Sequence, residues 1–228
     1  MTLVNDFLAL PNRVQGIALG IVLTALSFLV GFEAGWITEV NWLEVFAVFT
    51  SYVCTWMCSI QTRENYIWGV ITTATYSVLF WQWQMPALAL FNLYLVFSLA
   101  YGWYRWGSDD NPRPVTNVEP VWYLGYGAAG LVILGLFLLA NLIFNPAGIA
   151  SLNPVDVGLA VASGVAQLLL DNKKLQNWFA WAGINVVSIP FYAYSGLYLV
   201  AFQYIFFLAN NVIAYRMWKN TMGNERVA

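Results

Sequence analysis

The stretch Gln176–Trp218 reads QNWFAWAGINVVSIPFYAYSGLYLVAFQYIFFLANNVIAYRMW and carries no charge before Arg216. Gln176–Tyr194 and Leu197–Trp218 are each about as long as the ~20 apolar residues a bilayer-crossing helix needs. Ser195-Gly196 between them marks a tight turn. This stretch is therefore two antiparallel membrane helices, and the same reading extends outward along the chain. Charges gather in short islands, and the intervals between them give six more spans: Gln15–Phe32, Glu44–Ile60, Asn65–Trp83, Pro86–Trp106, Val121–Phe144 and Pro154–Leu170. Gln84-Met85-Pro86 is a second tight turn, and Gly107–Pro120, with three prolines and Asp109-Asp110, is expected to be a flexible linker. The fold class is all-α: an integral membrane bundle of eight transmembrane helices.

Composition agrees. Of 228 residues, 61% are hydrophobic and only 9% charged, against about 25% charged in a soluble domain. Disorder needs the opposite balance. Nine Lys+Arg against eleven Asp+Glu leave no basic excess for nucleic acid, and no His is present to build triads, imidazole metal sites or a histidine switch. The chain is expected to be neither an enzyme nor the holder of a metal or cofactor. Cys54 and Cys58, four apart in an apolar run, read as small buried hydrophobes. The N-terminus lacks the basic region and cleavage site of a secretory signal, so the chain reads as mature protein.

With the N-terminus in the cytoplasm, Arg13, Arg63, Arg105, Arg113, Lys173, Lys174, Arg216, Lys219 and Arg226 all fall in inner segments, and outer loops hold no Lys or Arg. That asymmetry orients the bundle with both termini cytoplasmic.

The chain also repeats itself. Glu44–Trp106 aligns with Asp156–Trp218: Glu44 meets Asp156, Ser51 meets Ser163 and Asn65 meets Asn177 at an offset of 112, while Phe91-Asn92 meets Phe202-Gln203 and Tyr104-Arg105 meets Tyr215-Arg216 at 111. Each unit has three helices. The span Val121–Phe144 between them restores direction, so the repeats are parallel, one of the two repeat plans of secondary transporters, with substrate held between them. The expected organisation is an N-terminal segment with an additional helix (1–40), a first repeat (41–106), loop and linker helix (107–150), a second repeat (151–220) and a tail (221–228).

No ionisable residue lies in the middle third of any span, which argues against a proton relay or voltage sensor. Neutral polar and aromatic residues lie there instead. Asn65, Trp68, Thr72 and Tyr76 recur at helical spacing, and so do Asn177, Trp181, Asn185 and Ser188. Thr55 and Gln167 occupy matching positions, with Gln167 four after Ser163, while Asn92, Gln203, Asn210 and Asn211 sit on the last helices of the units. Interhelical glue is the competing reading of such residues. Two matched stripes favour a lumen, because unpaired amides facing lipid are costly. Trp36, Trp42, Trp103, Trp106, Trp122 and Trp218, near span ends, read as interfacial anchors. Trp56, Trp68, Trp178 and Trp181 lie deeper or on polar faces and can stack on a flat ring, a contact worth about 1–3 kcal/mol. With no Arg or Lys clamp for phosphate, the site suits a small, planar, polar, non-anionic molecule.

Two three-helix parallel repeats joined by an inverting helix resemble the SWEET architecture. The segments ENYIWGVITTATYSVLFWQWQ, residues 64–84, and Gln176–Trp218 quoted above resemble the nicotinamide riboside transporter (PnuC) family. Its most specific parts are the Asn-aromatic-aromatic-x-Trp stretch at Asn177–Trp181 and the Tyr-Arg-x-Trp ending, and the likeness covers roughly Glu44–Trp218. The resemblance implies an inner-membrane facilitator of nicotinamide riboside, with direction supplied by a cytoplasmic riboside kinase. Relatives handle thiamine, riboflavin or nucleosides, and a non-transporting membrane assembly module is a further alternative. Homo-oligomer formation through the first span is another expectation.

Overall fold

Asn41 and Asn153, 112 residues apart, each turn a side-chain oxygen onto the backbone N–H of the residue two ahead, at 3.1 and 2.9 Å. That is how an N-cap satisfies the orphan donors of a helix start. Each cap opens a run of three helices in the computed structural model, which describes residues 6–83, 86–108, 111–144 and 152–224. In chain order the helices are α1 (Asn12–Glu33), α2 (Trp42–Ser59), α3 (Asn65–Gln82), α4 (Pro86–Arg105), α5 (Trp122–Phe144), α6 (Pro154–Asp171), α7 (Asn177–Tyr194) and α8 (Tyr198–Asn224). A two-residue pair, β1 (Gly107–Ser108) with β2 (Asn111–Pro112), follows α4. The expected turn at Gln84-Met85 lies outside the described residues, as do 1–5, 145–151 and 225–228. The structure of Ser195-Gly196 is a turn, with Gly196 at φ +78°.

Among the described residues, α1, α5, α6 and α8 are long and apolar enough to cross a membrane by length and composition. The lower apolarity of α2, α3, α4 and α7 has a structural cause: these helices carry most of the Thr, Asn, Ser and Tyr that face inward. Within each run, neighbouring helices pack on one another. Between the runs α2 packs on α8, and α6 packs on α4. So the first helix of each run meets the last helix of the other. α5 lies against α6 and α4, and α1 against α2 and α8. The outward face of α5 is strongly exposed, with Leu124 82% and Leu131 72% accessible, as a face meeting acyl chains would be.

Local devices recur 112 residues apart. Gln61 and Lys173 both have positive φ, at 60° and 48°. Thr62 and Lys174 then donate from N–H to the carbonyls of Met57 and Leu169, both at 2.9 Å. Asn65 and Asn177 each send Nδ2 back to the carbonyl three residues before, both at 2.7 Å. Trp106 Nε1 donates to the Leu170 carbonyl at 3.1 Å, and Trp218 Nε1 to the Cys58 carbonyl at 3.2 Å. Donor and acceptor exchange roles between the runs, as across a two-fold axis. Ser98 meets Asp171 in the same way that Asn210 meets Ser59. These pairs hold the spacing of 112 to the C-terminal ends of the last helices, so the expected change to 111 does not persist there.

Two expectations are corrected. Trp106 and Trp218 are not interfacial anchors: they are 2% and 0% exposed and packed edge to face at 5.8 Å. The 107–120 connector is not a free linker. Val115 is buried in the same cluster as the two indoles. Thr116 N–H donates to the Lys173 carbonyl at 3.1 Å, Leu175 N–H returns to Thr116 at 2.9 Å, and Arg113 Nε reaches the Asn172 carbonyl at 3.2 Å. Burial lowers both the Lys174 ammonium and the Arg113 guanidinium from their ordinary values.

Candidate functional site

Six helices, α2, α3, α4, α6, α7 and α8, line a cavity of about 250 Å³, near the lower end of small-molecule sites at roughly 300–1,000 Å³. Neither α1 nor α5 lines it. The described Lys and Arg residues lie together at one end of the bundle, here the basic end. There a cluster of Tyr66, Trp106, Trp178 and Trp218 with Cys58, Leu99 and Leu170 closes the floor. At the far end Tyr76, Leu79, Phe80, Tyr192 and Val200 close the roof.

Of the residues singled out from sequence, Thr72, Tyr76, Asn92, Gln167, Trp178, Trp181, Asn185, Ser188, Gln203 and Asn211 line the cavity. Cys54, Cys58, Ser51, Thr55 and Ser163 line it too, and so do Tyr192 and Tyr204, which the sequence reading did not single out. No Lys, Arg, Asp or Glu is in the lining.

Three expected placements are corrected, all by helical angle. The lining face of α2 is Ser51, Cys54, Thr55 and Cys58; Trp56 lies one step further round and turns to α1, donating Nε1 to Gln15 at 3.3 Å. The lining face of α3 is Asn65, Gly69, Thr72, Tyr76 and Phe80, the 3.6-residue period. Trp68 is about a quarter-turn off its centre and packs edge to face on Phe49 at 6.0 Å. Asn210 is similarly displaced from the Val200, Gln203, Phe207 and Asn211 face and bonds Ser59 at 2.8 Å.

Within the cavity some polar groups are committed. Tyr76 Oη donates to Gln203 Oε1 at 2.8 Å, and Gln203 Nε2 donates to Ser51 Oγ, tying α3, α8 and α2 together at mid-height. With its amide turned to satisfy both ends, Asn211 accepts from Asn185 Nδ2 at 3.0 Å and donates to the Phe207 carbonyl at 3.2 Å. Other groups are open. Thr72 Oγ1 and Trp178 Nε1 are buried without a hydrogen-bond partner among the described residues. A buried donor left unmade costs about 1–3 kcal/mol, a cost that a bound polar ligand removes.

Below the floor is a carboxylate that sequence reading overlooked. Asp171 is 0% exposed and accepts from Tyr66 Oη at 2.9 Å, Gln167 Nε2 at 2.8 Å and Ser98 Oγ at 3.3 Å. Its neighbours Asn172, Lys173 and Lys174 made it read as part of a solvated charge island. The available signal was its position one helical turn after Gln167.

A family model described as "Nicotinamide mononucleotide transporter" matches residues 41–220. The chain belongs to that family. Among curated proteins, the nicotinamide riboside transporter PnuC of Escherichia coli (strain K12) is 25% identical over 209 residues, which is 80% of this chain and 87% of that protein. The homologue of the same name from Shigella flexneri matches equally. A solved structure described as the crystal structure of the vitamin B3 transporter PnuC superposes with a TM-score of 0.72 at 19% identity, over 92% of each chain. That likeness carries the fold. The family match covers residues 41–220 and so does not include α1.

Proposed function

We propose that this protein moves nicotinamide riboside across the inner membrane by facilitated diffusion. The observation that carries the reading is a cavity lined by indole, phenol and amide groups among apolar side chains, with no charged side chain in its lining. A flat pyridinium ring gains stacking and cation–π energy among such walls, and amides can read the carboxamide and ribose. The family description names a mononucleotide, while the curated relatives name the riboside. The lining favours the riboside, because a phosphate buried without Arg, Lys or a metal would go uncompensated.

All eight helices span the bilayer in this reading, both chain ends are cytoplasmic, and the basic end faces the cytoplasm. The runs α2–α4 and α6–α8 act as two parallel repeats that rock about the cavity to give alternating access. The 112-residue recurrences and the exchanged tryptophan bonds support that view. No ion gradient is needed. A cytoplasmic riboside kinase makes uptake directional by placing on the product a phosphate that the cavity does not accommodate.

The test is calorimetric titration of the purified protein with nicotinamide riboside, its 5′-phosphate, thiamine, riboflavin and uridine. Heat with the riboside and none with the phosphate is expected. Binding of the mononucleotide, or of thiamine in place of the riboside, overturns the assignment. A non-transporting module would give no heat with any of them.

A further inference from the structure

We infer that Asp171 sets which end of the Gln167 side chain faces the cavity, and that the protein thereby selects a ligand carrying a hydrogen-bond donor over its carboxylate analogue. The inference rests on the proposed substrate and deepens it. An amide can offer either its oxygen or its NH2, and nothing in its own shape decides between them. Gln167 and Asp171 are four apart on α6, hence on one face. Gln167 lines the cavity, whereas Asp171 does not. Gln167 Nε2 donates to Asp171 Oδ1 at 2.8 Å. The same carboxylate is held by donors from two other helices, Tyr66 Oη on α3 and Ser98 Oγ on α4. A carboxylate receiving three donors accepts only, so it takes the NH2 end of Gln167 and leaves Oε1 for the cavity. Oε1 has no hydrogen-bond partner among the described residues.

The backbone is shaped around this arrangement. A Cβ on Gly102 would collide with both the Tyr66 ring and Asp171 Oδ1. Glycine there lets α4 pass close enough for Ser98 and Tyr66 to fix the carboxylate. A carboxamide or a hydroxyl therefore meets an acceptor at Gln167. A carboxylate in the same place meets the oxygen lone pairs of Gln167. Asp171 is a positioning residue: it touches Gln167 and not the cavity.

The experiment measures the affinity of purified protein for nicotinamide riboside and for nicotinic acid riboside, which differ only in carboxamide against carboxylate. Wild type should prefer the amide by roughly tenfold or more, the scale of one hydrogen bond to a charged or mispaired group. Asp171→Asn offers both a donor and an acceptor, frees Gln167 to turn, and should erase most of that ratio; Asp171→Glu should keep it. Gln167→Met keeps Asp171 and removes the amide, so it should erase the ratio as well. The pair Asp171→Asn with Gln167→Met should then lose no more than either alone. A wild type that binds both ribosides equally overturns the inference, as does a ratio that survives Gln167→Met. If Asp171→Asn does not fold, Gln167→Met alone decides. A wild type that binds neither riboside overturns the proposed substrate itself, which separates the two failures.

Discussion

At the basic end the two halves are joined by directed bonds, whereas at the far end they meet mainly through apolar packing. Trp106 and Trp218 each donate across to a helix-end carbonyl of the other half, Asp171 collects Tyr66 and Ser98 from the first half, and the 113–118 connector is pinned over the same cluster. At the far end Tyr76, Leu79, Phe80 and Leu88 of the first half share one apolar cluster with Tyr192, Val200 and Ala201 of the second, and each half stacks its own rings there, Tyr76 on Phe80 at 5.6 Å and Tyr192 on Tyr204 at 5.3 Å. Opening the basic end would strand several buried donors and acceptors at about 1–3 kcal/mol each. Parting the apolar cluster at the far end strands fewer, chiefly the Tyr76 hydroxyl on Gln203. The difference teaches that the two ends are unequally bonded, and in the proposed rocking cycle it predicts that the far end opens more readily.

The largest expected effect breaks the basic closure. Trp218→Ala should cost roughly 3–5 kcal/mol, read as a lowered thermal midpoint in detergent. The same deletion at half-buried Trp83, against Phe80 at the far end, should cost less than half as much. Equal losses would contradict the contrast. Next comes the space between the closures: Trp181→Ala should weaken riboside binding about five- to 150-fold, the ~1–3 kcal/mol of one stacked ring, with folding retained. If uptake is untouched while the thermal midpoint falls, Trp181 is packing only.

A smaller effect sharpens the inequality itself. Cys54 and Cys58 are the chain's only cysteines, and both line the cavity. In Cys58→Ser protein in oriented vesicles, an impermeant maleimide should reach Cys54 faster from the far side than from the basic side, and nicotinamide riboside should slow it. Faster labelling from the basic side would reverse the assignment of gates. The smallest effect is Thr72→Val, which removes an unpartnered buried hydroxyl at nearly constant volume. Affinity should fall about fivefold, one modest hydrogen bond, with thermal stability unchanged or raised. Unchanged affinity would place Thr72 outside the ligand contacts.

The all-α class and the places of the long helices were legible in the sequence because charge islands and glycine turns punctuate long apolar runs. The stripes of α3 and α7 were legible for the same reason that they line a cavity: lipid does not tolerate them. Angle around the helix was harder. Trp68 lies one residue before Gly69, and only the position of the neighbouring helices tells which of the two faces inward. Trp106 and Trp218 misread as anchors because a tryptophan at a helix end looks the same whether it meets headgroups or another helix. Asp171 was hidden by Lys173 and Lys174, which made the turn read as a solvated charge island; its place one helical turn after Gln167 was the one sign that it faces inward. The pinned connector was hidden by its prolines, which break helices yet leave the loop free to dock.

A structure determined with nicotinamide riboside at saturating concentration tests the account most directly. The account predicts density for the ligand within the six-helix cavity, its ring against Trp178 or Trp181 and a donor facing Gln167 Oε1. Ligand density on the lipid-facing surface, or a filled cavity with those side chains turned away from it, would contradict it.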